Sequence, residues 1–275
     1  SSEWDKFSQQ TYEANFGEIP HGDITEIDAK DIPKHDLLVG GFPCQAFSQA
    51  GLKKGFKDTR GTMFFEIQRI LDHHKPKALL LENVKGLRGH DKGKTFKVII
   101  SILNELGYQT LESKVLNAKD FGLPQNRERI FIVGYKNHFN FQFPEPPMIE
   151  TKVGSILDKR VAEKYTISDK MWKSAQRRKE NYRKKGYGFG FSLFNRDSKY
   201  TSTISARYYK DGAEIWIDQK NKNPRKLTPN EARKLQGFPE GFIIPVSDGQ
   251  AYKQFGNAVP VPVIRAIAKK MVKHL

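Results

Sequence analysis

Cysteine is almost absent from this 275-residue chain: Cys44 is the only one. A single thiol cannot close an internal disulfide or furnish a multi-cysteine zinc site, so both are excluded. No apolar run approaches the ~20 residues that span a bilayer. The first residues, Ser-Ser-Glu-Trp-Asp, have neither the basic start nor the apolar core of a secretory signal. These absences predict a soluble intracellular protein without membrane contact. Acidic side chains are also scarce, with 31 Asp and Glu against 47 Lys and Arg, a net charge of +16. A surplus that large favours a polyanionic partner, of which nucleic acid is the commonest. Hydrophobic residues at 37% and charged residues at 28% are globular composition. The length suits one large domain, or a medium domain with a small one.

The positive charge is concentrated. Residues 170–226 hold 16 Lys and Arg against 5 Asp and Glu. A Phe-Pro-Glu-Pro-Pro run at 143–147 precedes that region and reads as a linker, because proline breaks helices and cannot donate to a sheet ladder. Ahead of it, short apolar runs at 36–41, 78–82 and 130–134 read as buried strands. Residues 60–73 and 95–106 carry apolar side chains at helical spacing, as does the final stretch from 260 to 275. Apolar strands alternating with amphipathic helices predict a parallel α/β sheet. Ligands in such sheets sit at the carboxyl ends of the strands. Two such ends are rich in reactive groups, the segment after Gly41 and the one starting at Glu82.

Cys44 falls on a Gly-Gly-x-Pro turn. It reads either as a buried structural thiol or as a nucleophile whose thiolate is favoured by nearby positive charge. Glu82 reads either as a solvated strand end or as a general acid facing the same cleft. Arg127 and Arg129, two apart in extended chain, point the same way. They read either as a solvated pair or as a clamp on one anion or carboxylate.

In combination and in this order, the segments resemble the cytosine-5 DNA methyltransferases. The resemblance rests on Gly-Phe-Pro-Cys-Gln-Ala-Phe-Ser (41–48), Glu-Asn-Val-Lys-Gly-Leu (82–87) and Gln-Asn-Arg-Glu-Arg-Ile (125–130). It continues through Arg-Lys-Leu-Thr-Pro-Asn-Glu-Ala-Arg-Lys-Leu-Gln-Gly-Phe-Pro (225–239) and Ala-Tyr-Lys-Gln-Phe-Gly-Asn-Ala-Val-Pro-Val-Pro (251–262). Bacterial restriction-modification enzymes are the most similar members. The resemblance implies a Rossmann-like S-adenosylmethionine-dependent sheet with a second, smaller, basic DNA-recognition domain. Residues 1–147 and 248–275 would form the catalytic part and 148–247 the recognition part. One feature departs from the family, which opens with a strand and a Phe-x-Gly-x-Gly loop around the methionine end of the cofactor. No such loop precedes Glu3 in these residues. The expectation is therefore an upstream segment, from a longer chain or a separate one, without which the sheet is marginal and the cofactor weakly held.

The same resemblance implies roles for particular residues. Cys44 would attack C6 of a cytosine flipped out of duplex DNA. Glu82 would act as acid at N3, Arg129 would orient it, and Arg127 would reach the ring's O2 or nearby backbone. Glu3 would take the ribose hydroxyls of S-adenosylmethionine, Trp4 and Ile24 would line the adenine, and Asp23 would take its amino group. Pro43, Asn257 and Val259 complete the implied cofactor site. Gln45, Ser48 and Arg60 would touch DNA, with Arg207 and Lys210 reading bases in the major groove. Plain core packing is the other reading of Trp4 and Ile24, and phosphate contact or solvation that of most basic residues. No metal is implied. The expected setting is a bacterial cytoplasmic, nucleoid-associated monomer on DNA. Two other functions fit the same motifs: a tRNA cytosine-5 methyltransferase, and a non-catalytic or split DNA-binding subunit.

Overall fold

The structure is a computed structural model that describes residues 1–43, 63–188 and 190–275, so Cys44, Gln45, Ser48 and Arg60 lie outside the described residues. Four strands form one sheet: β1 (Leu37–Gly41), β2 (Ala78–Val84), β3 (Thr110–Asn117) and β4 (Glu128–Tyr135), in the order β1-β2-β4-β3. β1 and β2 are parallel and in register, with Gly41 opposite Glu82. Parallel neighbours need a long crossover, and the chain between them contains helix α2 (Met63–His74).

The expectation of a wholly parallel sheet is corrected by β4, which runs antiparallel to both β2 and β3. Only residues 118–127 join β3 to β4, too few for a helical crossover, so the chain doubles back. β3 has no counterpart among the strands expected from the sequence. Its residues, Thr-Leu-Glu-Ser-Lys-Val-Leu-Asn, carry the mixed polar pattern of an edge strand. At the other edge β1 is less buried than its apolar sequence suggests, and Val39 is 61% exposed. Among the described residues, nothing pairs with the far side of β1.

Alternation along the strands builds the core on two faces. Leu79, Leu81, Ile130 and Ile132 pack with α2 and with α3 (Lys94–Glu105). Ala78, Leu80, Phe131 and Val133 face the other way, under Val263, Ile267 and Met271 of α7 (Val261–Met271). The proline-rich 143–147 stretch has no regular structure, yet Phe141 and Phe143 bury against the same face.

Outside this sheet lie a second core and a smaller cluster on α4. Helix α1 (Lys6–Phe16) is capped by Asp5, and α4 (Asp169–Lys184) by Ser168. A three-stranded sheet comprises β5 (Leu193–Phe194), β6 (Trp216–Gln219) and β7 (Lys222–Arg225). Helix α5 (Pro229–Leu235) starts on a reciprocal cap, in which Thr228 Oγ1 accepts from Glu231 N and the Glu231 carboxylate accepts from Thr228 N. Proline at the first helical position is pre-set for this turn. Helix α6 (Asp248–Asn257) contributes Ala251, Tyr252 and Phe255 to a cluster with Val153, Ile204, Ile217 and Leu235. Beside it, Arg225 forms a bidentate pair with Glu231 at 2.7 and 2.8 Å, the two side chains 7% and 0% exposed.

Candidate active site

The carboxyl ends of β1 and β2 bring together the residues that matter most. Glu82 stands at the end of β2's apolar run, where the register places it beside Gly41. A Cβ at Gly41 would lie 3.5 Å from Glu82 Oε2, so the carboxylate lies directly against the chain leading into Pro43. Arg129, at the start of the adjacent antiparallel strand, donates from Nε to Glu82 Oε1 at 3.0 Å. Burial pushes the Glu82 carboxyl above its ordinary range, against the opposing pull of Arg129 and Arg127. The same burial pulls the Arg129 guanidinium down, and Glu82 opposes that. A carboxylic acid held this way is suited to donating a proton.

Asn83, to which the sequence motifs assign no role, fixes the geometry between the two strand ends. It is 4% exposed. Its Nδ2 donates to Phe42 O at 2.6 Å and its Oδ1 accepts from Val84 N at 2.8 Å. The sequence does hold a signal for it, since Asn83 is an amide inside an apolar strand, and a buried amide must be partnered. Asn83→Ala should leave an unpartnered carbonyl two residues before Cys44. A fall in kcat with a nearly unchanged KM is expected, and a normal kcat would contradict it.

Arg127 is placed differently from Arg129. Only 1% exposed, it donates to Ile204 O at 2.9 Å and to Gly256 O and Ala258 O at 2.8 Å each. Burial, with Arg129 nearby, pulls it down to about 9. Glu82 opposes that fall, and Arg127 stays charged at neutral pH. Gln125 works alongside it, accepting from Ile204 N and donating to Leu235 O and Gln236 Oε1. Gln236 reaches on to Phe255 O. These three side chains join the segment leading into β4, the 201–206 segment, α5 and α6. Gly256 shows how tight the join is, since a Cβ there would sit 2.3 Å from the Ser205 carbonyl.

Four of the seven residues expected at the cofactor, Glu3, Trp4, Asp23 and Ile24, lie together. Ser2 bridges His21, and Glu3 N donates to His21 O at 2.7 Å, which sets Glu3 and Trp4 beside Asp23 and Ile24. Asp5 accepts from Lys253 Nζ at 2.6 Å and so draws α6, which ends at Asn257, toward Trp4. Trp4 is 78% exposed, a flat apolar face left largely uncovered by the described residues. Glu3 uses Oε1 on Asp5 N, which leaves Oε2. Asp23 Oδ1 caps Thr25, and those bonds hold its carboxyl below the usual range, charged and able to accept. Asn257 is exposed and Val259 half-buried. An uncovered indole flanked by carboxylate oxygens suits a purine nucleoside bearing amino and hydroxyl donors.

Arg207 and Lys210 are both exposed, on a turn closed by Lys210 N to Arg207 O at 2.9 Å. Buried Tyr208 between them anchors the turn, donating to Ile215 O and accepting from Leu227 N.

Residues 1–273 match the family described as C-5 cytosine-specific DNA methylase. The chain belongs to that family. Among its relatives, Type II methyltransferase M1.ScrFI of Lactococcus lactis subsp. cremoris is 64% identical over 280 residues, covering 100% of this chain and 72% of that protein. Type II methyltransferase M.SsoII of Shigella sonnei is 63% identical, covering 100% and 74%. Among solved structures, S. pombe Dnmt2 methyltransferase superposes with a TM-score of 0.80 at 20% identity, over 99% of this chain and 90% of that one. Entamoeba histolytica methyltransferase EhMeth gives 0.74 at 21%, over 99% and 88%. The α/β methyltransferase fold expected from the sequence is therefore found. No helix among the described residues is long and apolar enough to cross a membrane.

Proposed function

We propose that this C-5 cytosine methylase transfers a methyl group from S-adenosylmethionine to C5 of one cytosine in a defined duplex DNA sequence, protecting DNA within a restriction-modification system. The observation that carries the reading is the half-buried Glu82–Arg129 pair beside the strand end that leads into Pro43 and Cys44. The target atoms are inaccessible in a duplex, so the cytosine is flipped out, at a cost of a few kcal/mol. The Cys44 thiolate adds to C6, and Glu82 gives its proton to N3 as electron density moves onto the ring. C5 thereby gains the electron pair it lacks in cytosine. S-adenosylmethionine supplies the methyl group on a sulfonium. A base then removes the C5 proton, the thiolate leaves from C6, and N3 returns its proton to Glu82. Arg129 holds Glu82 in place throughout, and Arg127 secures the strand that carries Arg129. Glu3, Trp4, Asp23 and Ile24 hold the adenosine end, with Pro43, Asn257 and Val259 around it. Residues 148–247 supply recognition, with Arg207 and Lys210 at base edges, while Gln45, Ser48 and Arg60 attend the flipped site.

Methylation of a duplex library and of tRNA by the same preparation tests the substrate. Labelling of tRNA alone would overturn the DNA reading. Glu82→Gln tests the acid. Turnover should drop by roughly 10²-fold or more, the scale of general acid catalysis. In the wild type, activity should fall as rising pH takes from Glu82, held above the ordinary carboxyl range by burial, the proton that N3 needs. Gln removes the falling limb, and a variant that keeps it contradicts the assignment.

A further inference from the structure

The geometry points to the outward face of α4 as a rail for the phosphate backbone of duplex DNA, separate from the residues that meet the methylated base; the inference rests on the DNA reading above. Helix α4 carries seven Lys and Arg against Asp169 and Glu180. Its inward face is spent, since Trp172 and Ala175 pack with Phe191 and Trp216, and Lys179 Nζ donates to Phe191 O at 3.1 Å. Half a turn away, Lys170, Lys173 and Arg177 follow one line at spacings of three and four, which is one face of a helix. All three are exposed, and among the described residues none has an ion-pair partner. Unpaired like charges in a row repel one another, so the row gains most from an anion that offers evenly spaced charge.

Position favours DNA as that anion. Arg178 lies 4.0 Å from Asp211, and Trp216 Nε1 donates to Asp211 O at 3.0 Å. The helix is thus seated against the turn that presents Arg207 and Lys210. Lys170 to Arg177 spans about 10.5 Å at 1.5 Å per residue. One DNA strand passes about three phosphates in that distance. Phosphate contacts carry no sequence information but fix register and supply salt-dependent affinity.

The test compares two triple variants with equal loss of charge, Lys170→Gln/Lys173→Gln/Arg177→Gln on α4 and Lys269→Gln/Lys270→Gln/Lys273→Gln at the far C-terminal helix. Duplex affinity is measured against salt, and methyl transfer to the same duplex is recorded for the wild type. The α4 triple should lower the slope of log affinity against log salt by about 0.9 for each phosphate no longer neutralised, hence about 2.7, equally on specific and unrelated duplexes. The C-terminal triple should leave the slope as it is. An unchanged slope for the α4 triple overturns the rail, as does an equal fall from both triples, which would mark a net-charge effect. A fall seen with structured RNA and not with duplex DNA also overturns it. Failure of the wild type to methylate duplex DNA would instead overturn the functional reading itself.

Discussion

Cys44→Ala should reduce methyl transfer by at least ~10⁴-fold, the scale on which covalent enzymes fail without their nucleophile. Binding to the duplex should survive, because one thiol contributes little beside a basic protein surface. Loss of activity alone would not separate a nucleophile from a packing residue, so the trap matters more. A duplex with 5-fluorocytosine at the target should capture the wild-type chain covalently, since fluorine at C5 cannot leave as a proton. The adduct resists denaturing electrophoresis and requires the methyl donor. An adduct on the alanine variant would show that another group attacks C6, and the role given to Cys44 would be lost.

The second large effect is on stability. Glu231 is fully buried, pairs twice with Arg225, and also accepts from Thr228 N and from Asp158 N at 2.8 Å each. Glu231→Ala leaves the Arg225 guanidinium buried without its counter-charge and removes one half of the reciprocal cap on α5. Breaking one side of a buried pair costs roughly 3–5 kcal/mol. For a chain of this size the melting temperature should fall on the order of 10 °C. Removing Arg225 and Glu231 together, with apolar residues of similar volume, should recover part of the loss by eliminating the stranded charge. A single-variant shift below about 2 °C would contradict this account.

How legible these features are in the sequence follows from how local their causes are. β2 and α3 are marked by their own apolar spacing, and Glu82 and Arg129 by motifs short enough to survive as strings. β3 escapes because Leu111 and Val115 face one core and Leu116 the other, with polar residues between them, so neither an apolar run nor an alternation is left. The direction of β4 escapes because it depends on the length of the connection and not on β4's own residues. α4 shows only as charge, its apolar residues being too few to set a rhythm against the lysines. Arg127 shows the limit most clearly. Its spacing from Arg129 suggests a shared target, yet the two guanidiniums part, one to Glu82 and one to carbonyls from segments 77 to 131 residues away. Such partners have no local signature.

The join around Arg127 has a consequence for how such a protein can change over generations. Arg127 and Gln125 grip the 201–206 segment by the carbonyl and amide of Ile204, and Gly256 meets the main chain of Ser205. Every residue except proline offers those same atoms. The grip is therefore blind to the side chains that the segment carries onward to 207–210. Exposed Arg207 and Lys210 can therefore be replaced without loosening the attachment, so a change at those tips can be inherited on an unaltered frame. A join built from matched side chains would tie the two histories together.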